Sequence, residues 1–331
     1  MSRRIAALLV ATLLLVGCSG GSQAPGNSAS GNEMSQSPQE QAPNQSPPEQ
    51  RPSQSPQPGT TAPAPSLELP NGGRRLFPQY RLCGFVGYPG ASGQGRLGIG
   101  DINERMVELH QTCQPYGTDA QIMPVMELIT VTVAPAPGPD GMWRERTDPA
   151  IIDSWLTVAR ANNALLLLDI QPGHSDFLTE LQALEPYLIQ PDVGVALDPE
   201  WAMKPGEIPM QSFGSTSGEE LDRVSAYLDG LVRERNLPEK VMLYHILHPE
   251  IITNEWALQQ RPGVVAIKSV DGIGSPADKI ATYERVKAEV PPFVFMGFKL
   301  FFEEDANASG VVMSPEEVLG LNPVPSYVMY E

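Results

Sequence analysis

Ala164-Leu165-Leu166-Leu167-Leu168-Asp169-Ile170 is a continuous apolar run that closes on a carboxylate. An apolar run without alternation marks a strand buried on both faces, as in a parallel sheet covered by helices. Comparable runs lie on either side of it: Leu82–Tyr88, Gln121–Val133, Val193–Leu197, Val241–Leu247, Val264–Val270, Phe293–Phe302 and Ser326–Tyr330. Helix signals fall between them. Asp101 and Glu104 open a helix reaching Cys113, and Asp148 with Pro149 at the first helical position opens another reaching Asn162. Ser175 starts a segment carrying Phe177, Leu178, Leu181, Leu184 and Leu188. Ser217 and Glu220 form a capping box ahead of Leu221, Val224, Leu228, Leu231 and Val232. Ser275-Pro276 and Ser314-Pro315 start two more helices. Strands and helices alternating in a block of about 255 residues predict an α/β fold, a (β/α)8 TIM-like barrel. An open doubly wound sheet is the alternative, but strands at both ends of the block favour closure.

Composition divides the chain into three parts: 1–17, 18–77 and the barrel block 78–331. Before residue 77 the chain is mostly Pro, Ser, Gln, Gly and Ala, in pieces such as Ser35-Gln36-Ser37-Pro38 and Ser53-Gln54-Ser55-Pro56. Such a segment cannot bury enough apolar surface to offset its conformational entropy, so a disordered, somewhat extended tether is expected. At the start, Arg3 and Arg4 precede an apolar stretch from Ile5 to Val16, too short for a mature membrane-spanning helix. It ends in Leu15-Val16-Gly17-Cys18, which resembles the lipobox of bacterial lipoproteins. That resemblance implies a cleaved signal peptide, a diacylglycerol and palmitate on Cys18, and an outer-face membrane anchor. The chain as a whole also resembles lipoproteins of high-GC Gram-positive bacteria. With Cys18 lipidated, Cys83 and Cys113 remain, an even number for an oxidising compartment. One falls on the first strand and the other near the end of the following helix, so a disulfide is sterically plausible; two buried free thiols are the alternative.

The net charge is −17, and the block after residue 78 carries −18. Such a surface repels phosphate backbones and acidic head groups. No nucleic-acid partner is expected, and membrane contact is expected through the lipid alone. Solubility by itself also accounts for the charge.

Barrels of this kind carry their chemistry at the C-terminal ends of the strands. Those ends place Glu127, Asp169, Gln171, Asp198, Glu200, Trp201, Tyr244, His245, Lys268, Asp271, Lys299, Tyr327 and Tyr330 as candidates. Each carboxylate could equally cap a helix or pair with a cation. A lysine inside an apolar strand needs a polar cavity or a carboxylate, because an unpaired buried charge costs several kcal/mol. Lys268 and Lys299 are therefore expected to neutralise Asp198 or Asp271 across the mouth.

The string Leu197-Asp198-Pro199-Glu200-Trp201 is similar to the Asp-x-Glu that ends strand four in barrel glycoside hydrolases of families 18 and 25. The resemblance implies N-acetylated glycans of chitin or peptidoglycan as substrate, Glu200 as acid, Asp198 as stabiliser and Trp201 as a stacking face. In an extended segment positions i and i+2 share a side, so both acids should reach one pocket. The sequence departs from both families. The first strand, Leu82 to Gly90, lacks the aspartate of the lysozyme-like family, and Gly194 and Ala196 replace the aspartate-rich lead-in of the chitinase-like one.

Two further motifs point less far. Gly93-Gln94-Gly95-Arg96-Leu97-Gly98 fits a dinucleotide loop but does not leave its strand directly, so no cofactor is expected. His245 and His248 could bind a metal with Asp271 or Asp198, although zinc needs three convergent ligands. The expected function is a surface-anchored glycoside-hydrolase-like monomer acting on cell-wall or environmental glycan. A non-catalytic glycan- or protein-binding barrel and a metal-dependent hydrolase are the alternatives.

Overall fold

The computed structural model describes residues 67–331. Residues 1–66, which include the expected signal segment, Cys18 and most of the expected tether, lie outside the described residues. Among the described residues, no helix is long and apolar enough to cross a membrane.

Eight parallel strands close into a barrel. They are β1 (Tyr80–Gly87), β2 (Gln121–Val133), β3 (Leu165–Ile170), β4 (Val193–Leu197), β5 (Lys240–Ile246), β6 (Val264–Val270), β7 (Phe295–Leu300) and β8 (Tyr327–Tyr330). The seam is the pairing of the first strand with the last, Leu82 opposite Tyr327 through Phe85 opposite Tyr330. Every apolar run read from the sequence is a barrel strand. A short antiparallel strand, Arg144–Arg146, extends the sheet beside the end of β2.

The connecting helices are α1 (Ile102–Cys113), α2 (Pro149–Ala161), α3 (Phe177–Ala183), α4 (Glu185–Leu188), α5 (Gly218–Arg235), α6 (Pro276–Lys287), α7 (Glu304–Ser309) and α8 (Pro315–Leu319). Their starts follow the cap residues. The Asp101 carboxylate accepts from the amides of Asn103 and Glu104, and that of Asp148 from Ala150. Ser275 and Ser314 make reciprocal capping boxes with Asp278 and Glu317. Two starts differ from expectation. The cap of α3 is Asp176, one residue after Ser175, because its carboxylate reaches the Thr179 amide. Ser217 caps α5, but Glu220 does not fold back to complete a box; its carboxylate accepts from Thr216 Oγ1 and the Phe177 amide instead.

Between β5 and β6 there is no α-helix, only two 3-10 turns, Pro249–Ile251 and Glu255–Ala257. A two-stranded patch, Thr216–Ser217 with Ile252–Thr253, ties this excursion to the loop that follows β4.

Side-chain alternation splits the core in two. One set, including Leu82, Val86, Met123, Val125, Leu165, Leu167, Val241, Leu243, Val265, Ile267 and Met329, fills the barrel. The other, including Phe85, Met126, Leu166, Leu168, Val195, Leu197, Met242 and Phe298, packs outward against the helices. Residues 67–77 were expected to end the tether. They belong to the folded block instead, since Leu69, Leu76 and Phe77 are buried in the inner set and close the barrel at its N-terminal end.

The glycine-rich segment after β1 forms two 3-10 turns, Ser92–Gln94 and Arg96–Gly98. Gly95 has φ +105°, and a Cβ there would lie 2.4 Å from the Val86 carbonyl oxygen. Close backbone packing against β1 therefore accounts for glycine at this position, with no nucleotide required.

Cys83 on β1 and Cys113 at the end of α1 form a disulfide with Cα atoms 5.7 Å apart, closing a sequence separation of 30. On chain-entropy grounds such a loop stabilises by ~3–4 kcal/mol. The double variant C83A/C113A is expected to lose stability of that order, seen as a lower urea midpoint. An unchanged midpoint would mean that the first strand and helix are held by packing alone.

Candidate active site

The site follows from inward-facing positions at the strand ends. Glu127 on β2, Asp169 on β3, Asp198 after β4, His245 on β5, Asp271 after β6, and Lys299 on β7 all point into the C-terminal mouth. Tyr327 on β8 joins them. Six of the seven are buried, and Asp271 is half-buried at the rim.

The innermost link is Glu127. One carboxylate oxygen accepts from Tyr327 Oη at 2.6 Å, and the other is 3.1 Å from His245 Nε2. Burial alone would raise the Glu127 carboxyl, but the His245 and Lys299 charges and the Tyr327 hydroxyl outweigh it and hold the group below its ordinary range. His245 Nδ1 has no hydrogen-bond partner, and Asp271 Oδ2 lies 3.5 Å from it. Burial would drive its proton off, yet Glu127 and Asp198 override that and raise its affinity for the proton. Lys299 completes the cationic side, 3.5 Å from Asp271 and 2.6 Å from the Glu331 carboxylate. These acids keep its ammonium charged against the cost of burial.

Three acids stand on the other side. Asp198 accepts from Gln171 Nε2 at 3.1 Å. Burial pushes its carboxyl up to about 6, with His245 and Lys299 pulling the other way. Glu200 is raised well above the ordinary carboxylate range by burial and then by the Asp198 and Asp271 charges. Its Oε2 has no hydrogen-bond partner. Asp169 is raised likewise, by burial and then by Asp198 and Glu127, and its Oδ1 is also unpartnered. The mouth thus combines two carboxyls, Asp169 and Glu200, that burial and neighbouring charges shift toward the protonated form, with an Asp198 carboxyl pushed up to about 6.

Glu200 does not lie on an extended segment. It sits within the 3-10 turn Pro199–Trp201, so the i, i+2 argument does not describe its geometry. The turn nonetheless tucks the side chain inward, where it feels Asp198, and the Gly214 amide pins the Glu200 carbonyl at 2.7 Å. Trp201 is half-buried beside Phe213, their rings edge to face at 6.1 Å. Gln171, Trp201 and Asp271 are partly exposed at the rim above the acids.

Tyr244 and Lys268 are not in the mouth, contrary to expectation. Each follows or precedes an inward residue by one position, so each faces outward. There both meet Glu255 from the 3-10 turn that replaces a helix: Tyr244 Oη at 2.8 Å and Lys268 Nζ at 2.5 Å. Lys268 therefore neutralises neither Asp198 nor Asp271. Tyr330 also faces outward and hydrogen-bonds Tyr116 at 2.7 Å. His248 caps the turn Pro249–Ile251, its Nδ1 taking the Glu250 amide, and does not converge with His245. Among the described residues, no three His, Cys, Asp or Glu side chains are grouped as a metal site would need. Glu255 and Glu331 were not foreseen. Outward parity of Lys268 implies a buried anion outside the barrel, which is the one sequence signal that pointed to Glu255.

A cavity among the described residues lies elsewhere. It holds about 340 Å³, is lined by Asn71, His110, Gln114, Ile122, Pro124, Asn162 and Asn163, and sits at the N-terminal end of the barrel. None of the clustered titrating groups reaches it, so the mouth is the stronger candidate on chemistry.

The geometry defines a closed parallel barrel with an acid-rich mouth. Compared with known proteins, the chain matches no family model and no curated relative.

Removing Lys268 would leave the Glu255 carboxylate buried without its cation. K268A is expected to cost ~3–5 kcal/mol in denaturant unfolding, and the paired change K268M/E255L to recover most of it. Equal losses in the single and paired variants would show that packing of the lysine stem matters more than its charge.

Proposed function

We propose that the protein is a glycoside-hydrolase-like enzyme, exported and held at the outer membrane face by lipid on Cys18, that acts on cell-wall or environmental N-acetylated glycan. The observation that carries this reading is the contrast between two neighbouring acids. Burial and the Asp198 and Asp271 charges raise the Glu200 carboxyl, whose Oε2 has no hydrogen-bond partner, while Asp198, hydrogen-bonded by Gln171, is pushed up to about 6. Cleavage of a glycosidic bond needs that division of labour. The protonated acid delivers a proton to the leaving oxygen, and the carboxylate stabilises positive charge on the ring or on its N-acetyl group. Trp201 offers an aromatic face at the rim for a sugar ring. The lipobox-like segment and proline-rich tether support a wall-facing location, and the acidic block disfavours adsorption to anionic lipid.

Hydrolysis is tested with N-acetylglucosamine oligomers and peptidoglycan, following reducing ends. Wild type is expected to release them, and E200Q to lose at least about 100-fold in kcat/KM with the fold intact. Activity should rise as Asp198 ionises through about 6 and fall where Glu200 loses its proton. Release of no reducing ends from any fraction by wild type overturns the reading.

A second reading, a non-catalytic glycan- or protein-binding barrel, is favoured by one observation: Asp198 and Glu200 are each only 6% exposed. It gives saturable binding without turnover, unchanged in E200Q. For the anchor, labelling with radioactive palmitate should be lost in C18A, and C18A protein should leave the membrane fraction.

A further inference from the structure

The loops after β2, β3 and β4 are bonded to one another at the C-terminal end of the barrel, and a ring stands on each segment. The His174 amide donates to the Met142 carbonyl at 2.8 Å, and the Met203 amide to the Gly173 carbonyl at 2.8 Å. Gly173 and Ala202 form a parallel bridge, and the Ser215 amide donates to the Ala202 carbonyl at 3.0 Å. The crossings are tight. A Cβ on Gly173 would lie 2.4 Å from the Met142 carbonyl oxygen, and one on Gly214 2.2 Å from that of Ala202. Four backbone segments thus run side by side, carrying Trp143, His174, Trp201 and Phe213 in that order. At the ~4.8 Å spacing of bonded strands the row spans about 14 Å.

The rings do not use up one another's faces. Trp143 and His174 are tilted by 52° at 6.4 Å, and Trp201 and Phe213 by 68° at 6.1 Å. Trp143, His174 and Trp201 are half-buried, and Phe213 is exposed. His174 is tied through Nε2 to the Glu207 carbonyl at 2.8 Å, so it serves as the prop beside Trp143. Trp143 has φ +55°, a left-handed backbone that bulky residues rarely adopt. Its indole belongs to neither core cluster, so packing does not require it there. Strain of this kind collects where a ligand is held.

We propose that Trp143, Trp201 and Phe213 form a stacking row that grips successive sugar rings of one uncharged glycan chain, so that the rim selects polymer over short saccharides. This rests on the glycosidase reading for what happens at Glu200, the neighbour of Trp201 in sequence, and adds chain length as the property the rim reads. Pyranose rings present flat C–H faces that pack on aromatic rings, and a polymer presents them in series. Aromatic rows also stack nucleobases, but such sites add a basic track for the phosphates. Here the block carries −18, and Arg144, the neighbour of Trp143 in sequence, is taken up by Asp140 and Glu180. That charge favours a neutral chain over an anionic one.

The test measures binding apart from cleavage, by calorimetric titration of the full chain carrying E200Q with N-acetylglucosamine oligomers from dimer to hexamer. The hexamer should bind at least roughly tenfold more tightly than the dimer; W143A and F213A should each remove roughly tenfold of the hexamer affinity, and W143F should restore most of it. W143A should leave dimer affinity unchanged. Urea midpoints check that each variant is folded, and F213A, at an exposed position without backbone strain, carries the test if W143A unfolds. Absence of hexamer binding, equal affinity for dimer and hexamer, or a hexamer affinity unchanged in both W143A and F213A overturns the proposal. An oligothymidylate that binds as tightly as the hexamer overturns it too. If length-dependent binding is lost in W143A but wild type releases no reducing ends, the glycosidase reading falls while the row stands. If wild type cleaves glycan and binding shows no length dependence, the reverse holds.

Discussion

A closed ring of parallel strands leaves each side chain two destinations, the interior or the layer between strand and helix. Every other position shares a fate, and one residue of displacement changes it. In this protein the rule gathers Glu127, Asp169, His245, Lys299 and Tyr327 in one mouth, and sends Tyr244 and Lys268 out to Glu255. The seam between β1 and β8 is what enforces it. In an open sheet Tyr327 would sit at an edge, with no reason to meet Glu127, its hydrogen-bond partner 200 positions away in sequence.

Within that frame the mouth is governed by unequal numbers of charges. Carboxyl groups outnumber the two basic side chains, His245 and Lys299, and burial makes each unpaired charge costly. The imbalance is resolved unevenly. Glu127 and Asp271 sit against the basic side chains, Asp198 is pushed up to about 6, and Asp169 and Glu200 are raised further by burial and their neighbours. Buried carboxyls with unpartnered oxygens, Asp169 Oδ1 and Glu200 Oε2, represent stability given up for chemistry that the fold alone does not need. By contrast the outward pairs, Lys268 with Glu255 and Lys279 with Asp305, are closed on themselves at 2.5 and 2.9 Å. Ionic groups of one kind hold the wall together, and those of the other kind are left poised.

The strands were legible because apolar runs such as Leu165–Leu168 have no other stable use, and the helix starts because Asp101, Asp148, Ser275 and Ser314 satisfy free amides in a way few residues can. The mouth was half legible. Asp198, Glu200, Glu127 and His245 were placed by their position at strand ends, but that criterion ignores which way a side chain points. Applying the two-residue period to β5 and β6 separates His245 from Tyr244, and Asp271 from Lys268, without coordinates. Other features were beyond the sequence for physical reasons. Glu255 lies on a 3-10 turn with no apolar period, and Glu331 meets Lys299 only through the register in which β8 pairs with β7. The inward tuck of Glu200 depends on a turn that its neighbours Asp198 and Pro199 begin and the distant Gly214 amide secures.

Leu69, Leu76 and Phe77 seal the end of the barrel opposite the acids. With the interior filled by apolar side chains and that end capped, exchange of protons or water with the acids is confined to the C-terminal side, beside Gln171, Trp201 and Asp271.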